Sequence, residues 1–326
     1  MELRAAAMDR PAQADLNGAT TTNRSGATGA FEDRFPVIPS SLGMRVFVMA
    51  GVVDLAVGSG VVLVVGGTGK TGRRVAGRLT ARGYEVRVGS RSGAVPFDWH
   101  DEGTWAGALE GVSAAYLTYY PDLAFPGAVE AVGAFSRLAA ERGVGRLVLL
   151  SGRGEEAAEA GEKAVMESGA AWTVVRCAWF DQNFDESFFL EPVLAGELAL
   201  PVGGAVEPFV DVEDIADVAV AALTEAGHAG EVYELTGPRL LSFADVAVEL
   251  SRATGREVRF VAVSAESYRK VLVEAGLPAD FAELFSVILD GRNASLGDGV
   301  RRALGREPRD FADYARAAAA TGVWNT

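Results

Sequence analysis

Residues 61–72 read Val61-Val62-Leu63-Val64-Val65-Gly66-Gly67-Thr68-Gly69-Lys70-Thr71-Gly72, and the fold follows from how this stretch changes character. Its first five residues are apolar and mostly β-branched, as in a short buried strand. Gly66, Gly69 and Gly72 then stand in G-x-x-G-x-x-G spacing, and an amphipathic stretch from Arg73 to Arg82 ends at Gly83. Strand, glycine turn and helix in that order make a dinucleotide cradle. Glycines let the backbone turn tightly and approach a pyrophosphate, which then rests against the positive helix N-terminus. A nucleotide-triphosphatase loop is excluded, because G-x-x-x-x-G-K-T read back from Gly69-Lys70-Thr71 requires glycine where the chain has Val64.

Outward from this loop the alternation continues. A strand is expected at Tyr84–Val88, a third strand just before Phe97-Asp98-Trp99, and a fourth near Ala114–Leu117. Then follow a helix near Gly127–Arg142, a strand at Arg146–Leu150, a helix near Glu155–Ser168 and a strand at Trp172–Val175. Strands separated by helices of this length imply a parallel sheet covered on both faces. Beyond Trp179 the pattern turns to helices with short strands, including Glu231–Leu235 and Val258–Val261, and Ser242 and Ser264 suit helix N-caps. The expectation is an α/β protein: a Rossmann-type doubly wound parallel sheet over residues 60–180, and a smaller, mostly helical substrate lobe over 181–326 that interleaves with the sheet.

Residues 1–43 lack a sustained period and are expected to be a disordered leader. The run from Val46 to Gly67 carries only Asp54 as a charge, yet Gly58-Ser59-Gly60 interrupts it and the glycine loop needs a strand directly before it. A strand is therefore expected there, with no membrane span and no secretory signal. Thirty Lys and Arg against 44 Asp and Glu give a net charge of -14, which argues against nucleic acid as a partner. One cysteine and two histidines exclude an internal disulfide and the usual zinc sites, so no metal is expected, and a reducing cytoplasm fits. No feature sets an oligomeric state.

NAD binders place an acid at the end of the second strand to accept from the ribose 2′-hydroxyl, whereas this chain has Gly89-Ser90-Arg91-Ser92. A serine hydroxyl and a guanidinium suit a 2′-phosphate, so the cofactor is expected to be NADP. Gly66, Thr68, Gly69, Lys70, Thr71 and Gly72 would form its cradle, Ser90 and Arg91 its phosphate reader, and Arg73 and Arg74 would add positive charge. Asp98 would lie near the adenine and Thr118 beside the loop. None of the seven tyrosines has lysine four residues later, so the Tyr-x-x-x-Lys dyad of short-chain dehydrogenases is absent. Tyr119, Tyr120 and Ser151, at the carboxyl edge of the sheet, are the candidate catalytic groups; packing is the other role open to the tyrosines. Glu162 and Lys163 would lie nearby on a helix, with a surface ion pair as an equal reading.

The Gly66–Gly72 loop, Ser90-Arg91, Phe97-Asp98-Trp99, the run Ser168–Arg176, Trp179-Phe180, Asn183-Phe184 and Val210–Ala216 together resemble the NmrA-like atypical short-chain dehydrogenases. Within them the chain is most similar to the ergot-alkaloid branch, the agroclavine dehydrogenase and festuclavine synthase type. The resemblance runs from about Val61 to the C-terminus. It implies that Trp179, Phe180 and Asn183 border the substrate pocket, although as residue types alone they also suit core and capping positions. Cys177 departs from the proline that many relatives carry there, which bears on the shape of that turn.

Hydride delivered to a ketone makes an alkoxide that needs a positioned proton, whereas hydride delivered to an iminium makes a neutral amine. With the dyad absent and the net charge negative, the expected activity is NADPH-dependent reduction of a small or natural-product-like substrate at a C=N bond. Two alternatives stand beside it: a non-catalytic NADP-binding redox sensor of NmrA type, and a ketone or quinone reductase.

Overall fold

Six parallel strands carry the molecule: β1 (Val61–Val65), β2 (Val86–Gly89), β3 (Val112–Leu117), β4 (Arg146–Gly152), β5 (Ala171–Cys177) and β6 (Glu231–Leu235), in the spatial order β6-β5-β4-β3-β1-β2. The computed structural model describes residues 60–274 and 289–325, plus two paired two-residue strands, Val48–Met49 and Val52–Val53. The expected leader at 1–43 lies outside the described residues. Among the described residues no helix is long and apolar enough to cross a membrane.

Strand side chains alternate between the two faces of the sheet, and the two faces have different covers. Val62, Val64, Ala114, Tyr116, Val148 and Val175 pack with Val75 and Leu79 of helix α1 (Lys70–Ala81). A second helix on that face, Val212–Thr224, adds Ile215, Ala219 and Leu223. Leu63, Val65, Ala115, Leu117, Leu147 and Leu149 pack on the other face against helices Ala128–Glu141 and Glu156–Met166, through Val132, Phe135, Ala158 and Val165. A third core, built by Phe184, Phe189, Phe209, Phe243, Phe311 and Trp324 among others, belongs to the C-terminal part of the chain. Ser242 closes a full capping box with Asp245, and Ser264 accepts from the Ser267 amide.

Two expectations need correction. The third strand does not form: Ser90 and Pro96 make a single bridge, and the segment turns back at Asp98 and Asp101. Pro96 lacks an amide and the stretch is short, so the sheet ends at β2. Helix α1 begins at Lys70, three residues earlier than its apolar period suggests, with Gly69 as N-cap. Lys70, Thr71 and Gly72 therefore form the first helical turn. The turn after Cys177 is not disrupted: β5 runs through Cys177, and the Ala178 amide donates to the Leu235 carbonyl at 3.0 Å.

The chain leaves β1 for β2 on one side and returns to β3 on the other. Diverging connections open a crevice at the carboxyl ends of β1 and β3, the place where doubly wound sheets take ligands.

Candidate active site

The glycine loop occupies that crevice, and its glycines divide the work. Gly66 has φ of 69°, a left-handed value, and a Cβ there would lie 2.1 Å from the Thr118 hydroxyl. A Cβ on Gly72 would meet the Gly66 carbonyl at 2.2 Å, so this glycine lets helix α1 pack onto the loop. Gly69 is exposed and has no comparable clash, only the Gly66 carbonyl at 3.2 Å. It keeps the face toward an approaching phosphate bare. As N-cap it supplies no side-chain oxygen, which leaves the first amides of α1 open to an anion. The loop fits a dinucleotide pyrophosphate.

Ser90 and Arg91 follow β2. The Ser90 carbonyl accepts from the amides of Gly93 and Phe97 at 3.1 and 3.0 Å, which fixes the turn. Arg91 is exposed and makes no hydrogen bond or ion pair among the described residues. The cofactor is NADP, and the end of β2 carries this guanidinium with no acid to bond a 2′-hydroxyl. Arg73 and Arg74 are committed elsewhere: both pair with Glu186, and Arg74 also pairs with Glu213 at 2.5 Å. These pairs clamp α1 to the later chain.

Beyond the loop, at the ends of β3, β4 and β5, lies a cavity of about 280 Å³. Tyr119, Ser151, Trp179, Phe180, Lys70 and Asn183 all line it. Lys70 donates to the Asn183 Oδ1 at 3.0 Å, joining the cofactor loop to the substrate side, and burial lowers its ammonium pKa. Ser151 is buried and its hydroxyl donates to Glu162 Oε1 at 2.6 Å; Glu162 is only 2% exposed and is held by Arg176 at 2.5 Å. Glu155 and Asp122 line the same cavity. Burial and the neighbouring Asp122 push the Glu155 carboxyl up to about 8. Trp179 stacks on Phe189 with centroids 6.3 Å apart, giving the cavity a rigid aromatic side. Among the described residues no group of three or more His, Cys, Asp or Glu could hold a metal.

No family model matches the chain. Agroclavine dehydrogenase of Claviceps fusiformis is 34% identical to it over 284 residues, covering 78% of this chain and 95% of that one. The chain belongs to the NmrA-like atypical short-chain dehydrogenase/reductase family. The NAD(P)H azoreductase of Xenophilus azovorans is 32% identical over 293 residues, covering 79% and 98% of the two chains. The crystal structure of NmrA, a negative transcriptional regulator in complex with NAD, matches with a TM-score of 0.63 at 18% identity over 82% of this chain and 99% of that one, a likeness of fold. This NmrA-like protein is an NADP-dependent oxidoreductase of the reductase kind.

In this NmrA-like reductase the tertiary structure gathers most, not all, of the residues singled out in the sequence. Tyr119, Ser151, Trp179, Phe180 and Asn183 meet in one cavity. Tyr120 does not: it is 78% exposed and lies outside the lining, in the irregular segment after β3, whereas Tyr119 is buried. Thr118 has its hydroxyl on the Val65 carbonyl at 3.1 Å and its own carbonyl on Trp99 Nε1, so it ties β3 to β1 beneath the loop. Thr71 is buried beneath the loop, whereas Thr68 is exposed on it. Asp98 accepts from the His100 amide at 3.0 Å and shapes its turn. Lys163 is an exposed helix-surface residue paired with Glu167 at 3.8 Å, while Glu162 is buried under Ser151.

Asp122 and Glu155 escaped the reading of the sequence. The signal was present: in a parallel sheet every loop that follows a strand emerges on the same edge. Asp122 follows β3 by five residues and Glu155 follows β4 by three. Because β3 and β4 are neighbours, these acids converge.

Proposed function

We propose that the protein reduces the C=N bond of a small or natural-product-like imine or iminium with NADPH. One observation carries this reading. The Ser151 hydroxyl, placed where an oxyanion donor would be needed, spends its proton on Glu162, and Tyr119 has no lysine to lower a pKa that burial has raised. An alkoxide formed in this cavity would find neither hydroxyl ready to donate and would depend on a carboxyl of the lining. An amine formed from an iminium needs no such donor.

Bound NADPH supplies the hydride. The chain's residues hold and screen the substrate. Trp179, Phe180 and Tyr119 offer flat apolar faces to a ring system and to a delocalised cation. Ser151, with its proton directed at Glu162, presents lone pairs that accept from an N–H. Lys70 and Asn183 join the wall of the cavity to the cofactor loop, which holds the reacting carbon near the cofactor and limits water. The name of the agroclavine dehydrogenase relative agrees with an alkaloid-like substrate.

The test is NADPH oxidation against imines, quaternary iminium ions, ketones, quinones and azo compounds in parallel. C=N acceptors should give the highest kcat/KM. A preference for quinones or ketones would reject the C=N reading, and tight NADP(H) binding with no turnover of any acceptor would favour a sensor.

A further inference from the structure

We propose that Asp122 and Glu155 act as one acid, holding a single proton between them in the resting cavity and passing it to the nitrogen of a neutral imine. This rests on the C=N reading above and adds a residue pair to it.

The geometry is specific. Both residues line the cavity that also contains Tyr119, Ser151, Trp179 and Phe180. Glu155 Oε2 is buried and has no hydrogen-bond donor from the protein. Its carboxyl packs directly over Gly152, where a Cβ would lie 2.4 Å from Oε1, so the glycine ending β4 makes room for it. Asp122 takes the Ala124 amide on Oδ1 at 2.8 Å, which orients it. Asp122 stands beside Glu155 in the same lining, and a carboxyl next to another carboxylate holds its proton more tightly than one alone.

Among the described residues no cation pairs with either carboxyl. Lys70 is bonded to Asn183, and Arg153 donates to Glu234 at 3.2 Å and to the carbonyls of Asn293 and Ser295. Arg292, on the segment beside Gly154, pairs with Asp290 at 2.8 Å. Glu156, the next residue, is exposed. Tyr119 and Cys177, the remaining titratable groups of the lining, both hold their protons more tightly than usual because of burial. The direction of the Glu155 shift agrees with a proton retained at neutral pH.

The step balances without a further reactant. The proton leaves the Asp122–Glu155 pair and an N–H bond forms on the imine, giving an iminium beside a carboxylate pair that now carries one more negative charge. Hydride from NADPH forms the C–H bond, the C=N π electrons become the nitrogen lone pair, and a neutral amine leaves with NADP⁺. Water restores the proton to the pair.

Two measurements test this. In the cofactor-free full chain carrying Glu207→Gln, which removes the buried carboxyl that titrates near 7, infrared difference spectra across pH 6–10 should contain a protonated-carboxyl band that titrates near pH 8. Glu155→Gln should abolish it, and Asp122→Asn should move its midpoint to lower pH by removing the neighbouring charge. With NADPH at pH 8, where about half of the wild-type molecules hold the proton, Glu155→Gln should slow reduction of neutral 3,4-dihydroisoquinoline by about 10²–10⁴-fold. Reduction of its N-methyl quaternary iminium, which needs no proton, should change by less than about tenfold. No titrating band, or equal losses on the two substrates, overturns the proposal. If the band is present and wild type reduces neither compound, the C=N reading has failed and the imine step falls with it, while the shared proton stands.

Discussion

Replacing Arg91 with alanine separates reading of the cofactor from support of the fold. The side chain is exposed and free of partners among the described residues. Its turn is held by backbone bonds to the Ser90 carbonyl that alanine leaves intact. Stability should therefore change by no more than about 0.5 kcal/mol. A guanidinium bonded to a phosphate contributes about 1.5–3 kcal/mol. Because Arg91 is exposed, salt screens the interaction, and the lower half of that range applies at physiological ionic strength. The NADPH Kd should rise about 10- to 40-fold, with a larger effect at low salt. NADH lacks the 2′-phosphate, so its Kd should stay within about twofold. Calorimetric titration of both cofactors at two salt concentrations, with a thermal melt of each protein, measures all of these quantities. Equal losses for NADH and NADPH, or an unchanged NADPH affinity, would refute the assignment of Arg91 to the 2′-phosphate.

Three further outcomes follow from the packing and the charges. Gly72→Ala forces a methyl against the Gly66 carbonyl and should cost at least about 1–3 kcal/mol in urea denaturation and weaken NADPH, whereas Gly77→Ala in the same helix, with nothing within 4 Å, should stabilise by about 0.5–1 kcal/mol. Equal effects at the two positions would show that the helix does not rest on the loop. Glu162→Ala leaves the Arg176 guanidinium with only Glu234 at 3.4 Å and should destabilise by about 3 kcal/mol, the low end for a broken buried pair because Arg176 is one-fifth exposed; a loss below about 1 kcal/mol in the same assay would contradict it. Glu207 is fully buried with both oxygens unpartnered, and burial pushes its carboxyl up to about 7. The folded state keeps that proton where the unfolded chain releases it, so stability falls as pH rises from about 4.5 to about 7 and levels off above. Glu207→Gln should therefore leave Tm nearly unchanged at pH 5 and raise it by roughly 6–12 °C at pH 8, and the same difference at both pH values would count against this account.

What the sequence by itself determined was everything carried by local pattern. The β-branched run at 61–65, the glycine spacing and the helical stops at Gly83, Gly143 and Gly169, all at positive φ, are short-range signals, and they placed the parallel sheet and the cofactor loop. The acid missing after β2 and the lysine missing after every tyrosine were equally local. Tertiary structure decided which chemical groups meet. Whether Arg74 reads a phosphate or clamps Glu213 depends on a partner 139 residues away, and Glu162 became a buried support for Ser151 only when its helix packed on the sheet. Tyr119 and Tyr120 are indistinguishable as letters, yet one faces the cavity and the other solvent. The pairing of Asp122 with Glu155 arises from strand order, because two loops 33 residues apart become neighbours only when β3 and β4 lie side by side. The raised proton affinity of Glu155 follows from burial and from that proximity, both of which are properties of the assembled fold.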